Sequence, residues 1–262
     1  MPKSTDYVAK QPDAAGRILY DSAEDSVWHD LMMRQMPSVE ERMATPYLEG
    51  LALLDLPSDR VAQCKEVSQT LGATTGWRVE PVPALIPFGR FFSLLADRCF
   101  PAASFIRRRE HFDYIEEPDI FHEIFGHAPL LTDARFAAFS HAIGQAGMQA
   151  EKTDYVWLIR LYWFSIEFGL TRENGEIKGL GSGLASSIAE LQWATSDKPE
   201  LRPFDVIDIL RMPYRIDILQ PVYFLIEDLN DLFAAAQRNL LADVAAARAL
   251  GQHAARYPAR RA

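Results

Sequence analysis

From Val156 to Leu170 the chain runs Val-Trp-Leu-Ile-Arg-Leu-Tyr-Trp-Phe-Ser-Ile-Glu-Phe-Gly-Leu, almost wholly apolar or aromatic. Such a segment does not belong on a solvated surface. It is also too short and too interrupted to span a bilayer, which takes about 20 apolar residues. It therefore reads as a helix inside a core. Glu167 sits within it. A carboxylate in apolar surroundings is costly unless it is paired or binds a metal. Any fold for this chain must give Glu167 a partner.

A second stretch offers one: Glu117-Pro118-Asp119-Ile120-Phe121-His122-Glu123-Ile124-Phe125-Gly126-His127 holds two of the six histidines. On an ideal α-helix, residues five apart point about 140° away from each other. An unbroken helix would separate the two imidazoles. Pro118 and Asp119 suit a helix start and Gly126 a helix end. The expectation is that the helix stops at Gly126 and the backbone turns His127 back towards His122. The zinc-protease pattern H-E-x-x-H needs histidine where Gly126 stands, which counts against that class. Two imidazoles and one carboxylate on one face of an ion, with other positions open, is the arrangement of non-heme Fe(II) oxygenases. The residues alone leave alternatives: structural histidines, Glu167 paired with Arg160 two helical turns away, a zinc hydrolase using the same three side chains, or a helical binding protein without catalysis.

Composition narrows the class. A chain of 262 residues with 48% hydrophobic content builds a sizeable core in one large domain. Its formal net charge of −9 argues against nucleic acid or anionic membrane as a partner, and Arg260-Arg261 is too small a basic patch to reverse this. Cys64 and Cys99 lack metal-ligand spacing and read as free core thiols, which suits a reducing cytosol. Met1 to Asp6 lacks the apolar region of a signal peptide, so a cytoplasmic protein is expected.

Along the chain, residues 1–24 read as a polar arm and 25–262 as a single domain, mainly α with a few short strands. Helices are expected from Ser26, from Ser38 to Leu54, and from Pro57-Ser58 to Gly72. Gly76 to Pro83 alternates like a short edge strand. A helix follows Pro87 and uses Phe91, Phe92, Leu94, Leu95 and Cys99 for packing. Ala103 to Arg107 reads as a second strand, and 107–117 as a charged loop. Asp133 caps a helix through Phe136, Phe139, Ile143 and Met148. Asn174-Gly175 is a strong hairpin signal. Gly179 to Gly183 reads as a flexible loop without the ending of a phosphate loop. Leu184 to Trp193 is a helix, Tyr214 to Leu219 a strand, and Asp228 to Leu250 a closing amphipathic helix.

Taken together, Pro118-Asp119-Ile120-Phe121-His122-Glu123 with Gly126-His127, then Tyr162-Trp163-Phe164 with Glu167-Phe168-Gly169-Leu170, resemble the pterin-dependent aromatic amino acid hydroxylases. Phe105-Ile106-Arg107, Gly183-Leu184-Ala185-Ser186-Ser187 and Gln220-Pro221 extend the likeness from about Trp77 to Tyr223. The resemblance implies Fe(II) held by His122, His127 and Glu167, a tetrahydropterin cofactor and O2 as co-substrate. It places Glu123 and Tyr162 as catalytic residues that also touch the pterin, with Leu85 and Phe91 as the pterin wall. It assigns Arg107 to the substrate carboxylate, Ser186 to a nearby hydroxyl contact, and Pro118, Trp163, Phe168 and Gly183 to the aromatic pocket. The implied reaction is 4-hydroxylation of L-phenylalanine, with tyrosine or tryptophan as the alternative substrate. Ile115, Pro101 and Ile86 depart from the animal pattern and bear on details of binding. Without room for the regulatory and tetramerisation segments of the animal forms, a monomer is expected. The remaining histidines, His29, His111, His141 and His253, read as ordinary surface or core residues.

Overall fold

The computed structural model describes residues 7–83 and 85–257. Met1 to Asp6 and Arg260-Arg261 lie outside the described residues. The fold is mainly helical, as expected, with two small sheets. Helix α1 spans Ser22–Arg42 and starts on a capping box. Asp21 accepts from the N–H groups of Ala23 and Glu24, and Glu24 accepts from the Asp21 N–H. The helix thus begins within the stretch read as the arm. It also runs through Pro37, where the sequence suggests two helices. Proline removes one backbone donor, but buried Gln35, Ser38 and Val39 on either side hold the helix to the core. The break comes at Met43 and Ala44, which leave the helix to meet Gly179, with Ala44 N–H donating to Gly179 O at 2.8 Å.

Helix α2 follows at Thr45–Leu54 and α3 at Cys64–Thr74. The latter starts later than Pro57-Ser58 suggests, because Gln63 and Glu66 form its capping box. It passes through Gly72. The stop is Gly76, which takes φ +76° and donates to Leu71 O. Strand β1, Arg78–Val82, falls where expected and pairs in parallel with β2, Cys99–Ala103, across α4, Phe88–Ala96. The second strand therefore ends where the sequence reading begins it, and Cys99 belongs to β2 rather than to α4. Every residue of β2 is buried, so it carries no alternation to read. A single 3-10 turn, Arg109–His111, interrupts the expected 107–117 loop.

A π-helical segment, His122–His127, continues into α5, Ala128–Leu131. Helix α6, Ala134–Gln149, is capped by Asp133, and α7, Tyr155–Tyr162, passes into a second π segment, Trp163–Glu167. Met148 is 56% exposed rather than part of the buried face. Strands β3, Leu170–Glu173, and β4, Glu176–Gly179, form the expected hairpin, with Asn174 and Gly175 at φ 52° and 85°. Instead of a flexible loop, Leu180 to Ala185 is buried and includes α8, Ser182–Ala185. Helix α9, Ile188–Ala194, is separate from it, because Ser187 caps a new start.

Strand β5, Glu200–Pro203, and α10, Val206–Arg211, were not legible from the sequence reading. The expected strand at Tyr214–Leu219 is a loop, with Ile216 and Leu219 47% and 42% exposed. The strand is β6, Val222–Ile226, buried throughout and paired in the order β4-β3-β6-β5. The closing helix is two, α11, Asn230–Ala236, and α12, Leu240–Leu250, with Asn239 capping the second. Among the described residues, no helix is long and apolar enough to cross a membrane.

Helix α6 packs between α4 and α11 through small residues. A Cβ on Gly144 would lie 2.4 Å from Ala96 N and 2.6 Å from Leu95 C. Those are backbone atoms of the facing helix and cannot swing away. Gly144→Ala is expected to lower the unfolding free energy by at least about 2 kcal/mol through overpacking. Urea denaturation measures it, and a loss below half that value would show that α4 and α6 can slide apart.

Candidate metal centre

Asp119 organises the start of the histidine segment. Its carboxylate accepts from the His122 N–H at 3.1 Å and from the Arg107 N–H at 2.9 Å. The Arg107 guanidinium completes a bidentate pair through Nε at 2.8 Å and Nη2 at 2.9 Å. Both side chains are buried, 6% and 0% exposed, so Arg107 does not lie on the solvated face that Arg107-Arg108-Arg109 suggests. Burial works against both charges, but the pairing prevails: it raises the Arg107 guanidinium and lowers the Asp119 carboxyl.

The helix does not stop at Gly126. It continues to Leu131, and the two histidines meet because His122–His127 is π-helical. The i→i+5 repeat places residues five apart on one face, which an α-helix cannot do. The rings stand 5.0 Å apart between centroids, with Nε2 to Nε2 at 3.2 Å. Gly126 serves close approach instead of termination, since a Cβ there would lie 2.9 Å from Ser182 O. The buried Tyr47 hydroxyl donates to Phe125 O at 2.5 Å, satisfying a carbonyl of the π turn.

Glu167 is delivered by the second π segment, whose register shows in the bond from Phe168 N–H to Trp163 O, five residues apart. Its Oε1 is 2.9 Å from His127 Nε2 and its Oε2 is 3.7 Å from His122 Nε2. Arg160 is not its partner. That guanidinium donates to Leu210 O at 3.1 Å and lies over the Trp157 ring. Two ring nitrogens and the two oxygens of one carboxylate thus converge from two helices. With metal–ligand bonds of about 2.1 Å, ligands at right angles stand about 3.0 Å apart. The observed separations suit one ion held on one face, and the N2O donor set suits iron(II).

The neighbours prepare these atoms. Ser186 Oγ donates to Ser182 O at 3.0 Å and lies 2.8 Å from His122 Nδ1. It therefore accepts the Nδ1 proton and leaves Nε2 with a free lone pair. Tyr162 OH lies 3.3 Å from His127 Nδ1. Ser182 Oγ lies 2.8 Å from Glu167 Oε2 and 3.0 Å from His127 Nε2. Burial lowers His122 to about 4, so the ring is neutral and ready to bind. Burial alone would raise Glu167, but His127, followed by His122 and the Ser182 hydroxyl, holds it at about 2.

Glu123 is buried and does not face solvent. A carboxylate oxygen of Glu123 and one ring nitrogen from each of His122 and His127 lie within 4.8 Å of one another. Two carboxylates thus flank the histidines. Glu167 approaches the ring nitrogens at 2.9 and 3.7 Å, while burial raises the Glu123 carboxyl well above its ordinary value, with Glu167 and Asp119 pushing it up further. Of the two carboxylates, Glu167 is the one whose charged form its neighbours favour, and Glu123 the one whose charged form they oppose.

Of the expected pterin residues, Phe91 packs edge-on to Tyr162 at 5.1 Å, one side chain from His127, while Leu85 is exposed nearby in sequence. Of the expected pocket residues, Trp163 and Phe168 pack at 4.5 Å between ring centroids, and Gly183 lies under Phe168, where a Cβ would meet Cζ at 2.6 Å. Pro118 stands half-buried at the head of the histidine segment. Sequence reasoning missed Ser182 and the platform behind Trp163. Tyr214 stacks on that indole at 4.2 Å, and Gln220 Oε1 accepts from its Nε1 at 3.3 Å. Gln220-Pro221 was visible as a motif but carried no assigned task. Ser182 gave no local signal, because its neighbours are distant in sequence.

A family model for biopterin-dependent aromatic amino acid hydroxylases matches residues 4–243. The phenylalanine-4-hydroxylase of Pseudomonas aeruginosa is 49% identical over 260 residues, covering 99% of each chain. The apo structure of the cold-active phenylalanine hydroxylase from Colwellia psychrerythraea 34H superposes with a TM-score of 0.93 at 46% identity, over 95% of this chain and 97% of that one. The Chromobacterium violaceum phenylalanine hydroxylase, in a structure with bound oxidized Fe(III), gives a TM-score of 0.87 at 34% identity, over 93% and 89% of the two chains.

Two substitutions test the geometry. Ser186→Ala frees the His122 tautomer and is expected to weaken Fe(II) or Co(II) binding about 10–100-fold, as loss of an outer partner does. Metal titration by calorimetry reads it, and unchanged affinity would count against the tautomer argument. Asp119→Asn leaves Arg107 buried without its anion and is expected to cost about 3–5 kcal/mol of stability. Chemical denaturation of the two proteins side by side decides it.

Proposed function

The chain belongs to the biopterin-dependent aromatic amino acid hydroxylase family, and we propose that it is a phenylalanine 4-monooxygenase, converting L-phenylalanine to L-tyrosine with O2 and a tetrahydropterin at a non-heme iron(II). The observation that carries this reading is the convergence of His122 Nε2, His127 Nε2 and Glu167 Oε1 in a buried pocket. We assign the three as the iron ligands. When bound, iron and reduced pterin together supply the electrons that activate dioxygen for attack on an aromatic ring.

The protein's part is positioning. Phe91 offers an aromatic face to the pterin and Leu85 an apolar edge, while Tyr162 joins that wall to His127 through its hydroxyl. Glu123, whose carboxyl burial raises well above its ordinary value, lies beside the two histidines, and we assign it to contact with the pterin. Arg107 receives the amino acid carboxylate. Asp119 occupies its Nε and Nη2, which leaves Nη1 as the donor edge for that carboxylate. Ser186 adds a hydroxyl beside it. Pro118, Trp163, Phe168 and Gly183 line the slot for the phenyl ring. Trp163 is fixed from behind by Tyr214 and Gln220, so the slot is rigid before substrate arrives.

In this reading residues 25–262 form the catalytic unit and 1–24 an arm laid against it. All three ligands come from one chain, so a monomer is sufficient for activity, and we propose a monomer. The two buried, unbridged thiols of Cys64 and Cys99 suit a reducing cytoplasm. The net charge of −9 suits a small-molecule enzyme without nucleic acid or membrane partners.

The test is product formation from phenylalanine, tyrosine and tryptophan in turn, each with Fe(II), tetrahydropterin and air. Tyrosine formed from phenylalanine, dependent on all three additions, is expected; its absence, or turnover with zinc and no pterin, would falsify the assignment. Glu167→Gln is expected to abolish turnover and retained iron together, because a neutral amide replaces the anionic ligand.

A further inference from the structure

We propose that Tyr7, in the N-terminal segment, is a positioning residue for Arg107: it holds the Phe105 ring on one side of that arginine and the Arg108 backbone N–H on the other, and so sets where the amino acid carboxylate is held. The inference rests on the reading of Arg107 given above. Tyr7 is about a hundred positions from its partners in sequence, yet it contacts Phe105, Arg108 and His111 of one short stretch. Its ring stacks on Phe105 at 4.4 Å with planes 19° apart. Its hydroxyl oxygen accepts from the Arg108 N–H at 3.1 Å. With that lone pair engaged, the phenol proton is directed at His111 Nδ1, 2.5 Å away. The Arg108 guanidinium covers the ring at 4.9 Å from its centroid.

Arg107 therefore sits between two residues that the same side chain holds. Asp119 fixes its guanidinium from the inside, and Tyr7 holds its two flanks, the Phe105 ring and the Arg108 N–H, from the outside. The following loop to Glu117 has one 3-10 turn and is tied to α1 beyond it, by Arg109 donating to Ser26 O and Oγ and by Arg34 donating to Phe112 O and Asp113, whereas the Phe105–Arg108 stretch takes its outer contacts from Tyr7. The strap itself is tied down along its length. Lys10 pairs with Glu24 and donates to Leu19 O at 3.0 Å, and the Gln63 amide bonds both the N–H and the C=O of Ile18. Tyr20 OH donates to Ser104 O at 3.2 Å, one residue before Phe105. A tyrosine that served only to cover Phe105 would need no hydroxyl partners; this one has two, both in the Arg107 stretch.

Tyr7→Ala, Tyr7→Phe and Arg107→Lys, each as the full iron-loaded chain, separate the possibilities. The readouts are calorimetric binding of L-phenylalanine, KM for phenylalanine and for pterin, kcat, and the thermal midpoint. Tyr7→Ala is expected to weaken phenylalanine binding and raise its KM about tenfold, with pterin KM and saturated kcat near wild type, as a small misplacement of a binding group does. Tyr7→Phe keeps the stack and loses the hydroxyl contacts, so it is expected to fall between the two. Wild-type phenylalanine affinity in Tyr7→Ala, beside a weakened Arg107→Lys, overturns the positioning role while leaving the Arg107 reading intact. Unchanged affinity in Arg107→Lys overturns that reading and this inference with it. A lowered thermal midpoint in Tyr7→Ala with unaltered phenylalanine KM assigns Tyr7 to stability alone and also overturns the proposal.

Discussion

The centre depends on helical register. Residues five apart face one atom only where the turn widens from i→i+4 to i→i+5, and both segments that supply candidate ligands take that wider form. A π turn is not a local preference of any sequence. It holds where surrounding packing leaves no better choice. Here the surroundings are identifiable. Tyr47 takes up the Phe125 carbonyl, Ser165 Oγ takes up Leu161 O, and Ser182 presses against Gly126 so closely that any side chain there would collide. The strain of the wide turns is thereby tied to the α8 region, which also supplies the hydroxyls that orient the ligands.

Charge is the second constraint. Four ionisable groups, Arg107, Asp119, Glu123 and Glu167, lie buried or nearly so around one pocket. Each avoids the penalty of burial differently. Arg107 and Asp119 neutralise each other through two parallel bonds. Glu123 has its carboxyl raised well above the ordinary value, so its charged form is disfavoured. Glu167 is held low by the two imidazoles and the Ser182 hydroxyl that face it, and an iron ion would complete its compensation. These three solutions set a paired cation and two carboxyl groups of opposite tendency close to the two histidines.

The β6 region links fold to pocket. The buried β6 strand ends the Tyr214–Gln220 loop, and Glu190 anchors the junction by accepting from Gln220 N–H and the Tyr223 hydroxyl. Gln220 in turn holds the loop through Arg215 O and Ile218 O and steadies Trp163. A strand position far from the candidate ligands thus sets the position of Trp163. The same logic explains Arg160, whose guanidinium serves the α7–α10 contact through Leu210 rather than pairing with Glu167.

The sequence by itself determined the chemistry and much of the outline. The apolar run around Glu167, the paired histidines and the ordered motifs pointed to candidate donor atoms and to the family, because residue type alone sets what can bind a metal. Short-range signals also placed the Asn174-Gly175 hairpin, the Asp133 cap and β1. It misplaced elements whose limits are set from outside: α1 through Pro37, the late start of α3, the division of α11 from α12, and β6, which carries no alternation because neither face meets water. It supposed a helix break at Gly126 where tertiary packing instead widened the turn. Only the folded chain decided that His122 and His127 align, that Ser182 reaches both His127 and Glu167, and that Tyr7 lies on the Arg107 stretch. Each of these joins residues remote in sequence or overrides a local preference, and no local pattern carries the energy of a contact that exists only after the chain has folded.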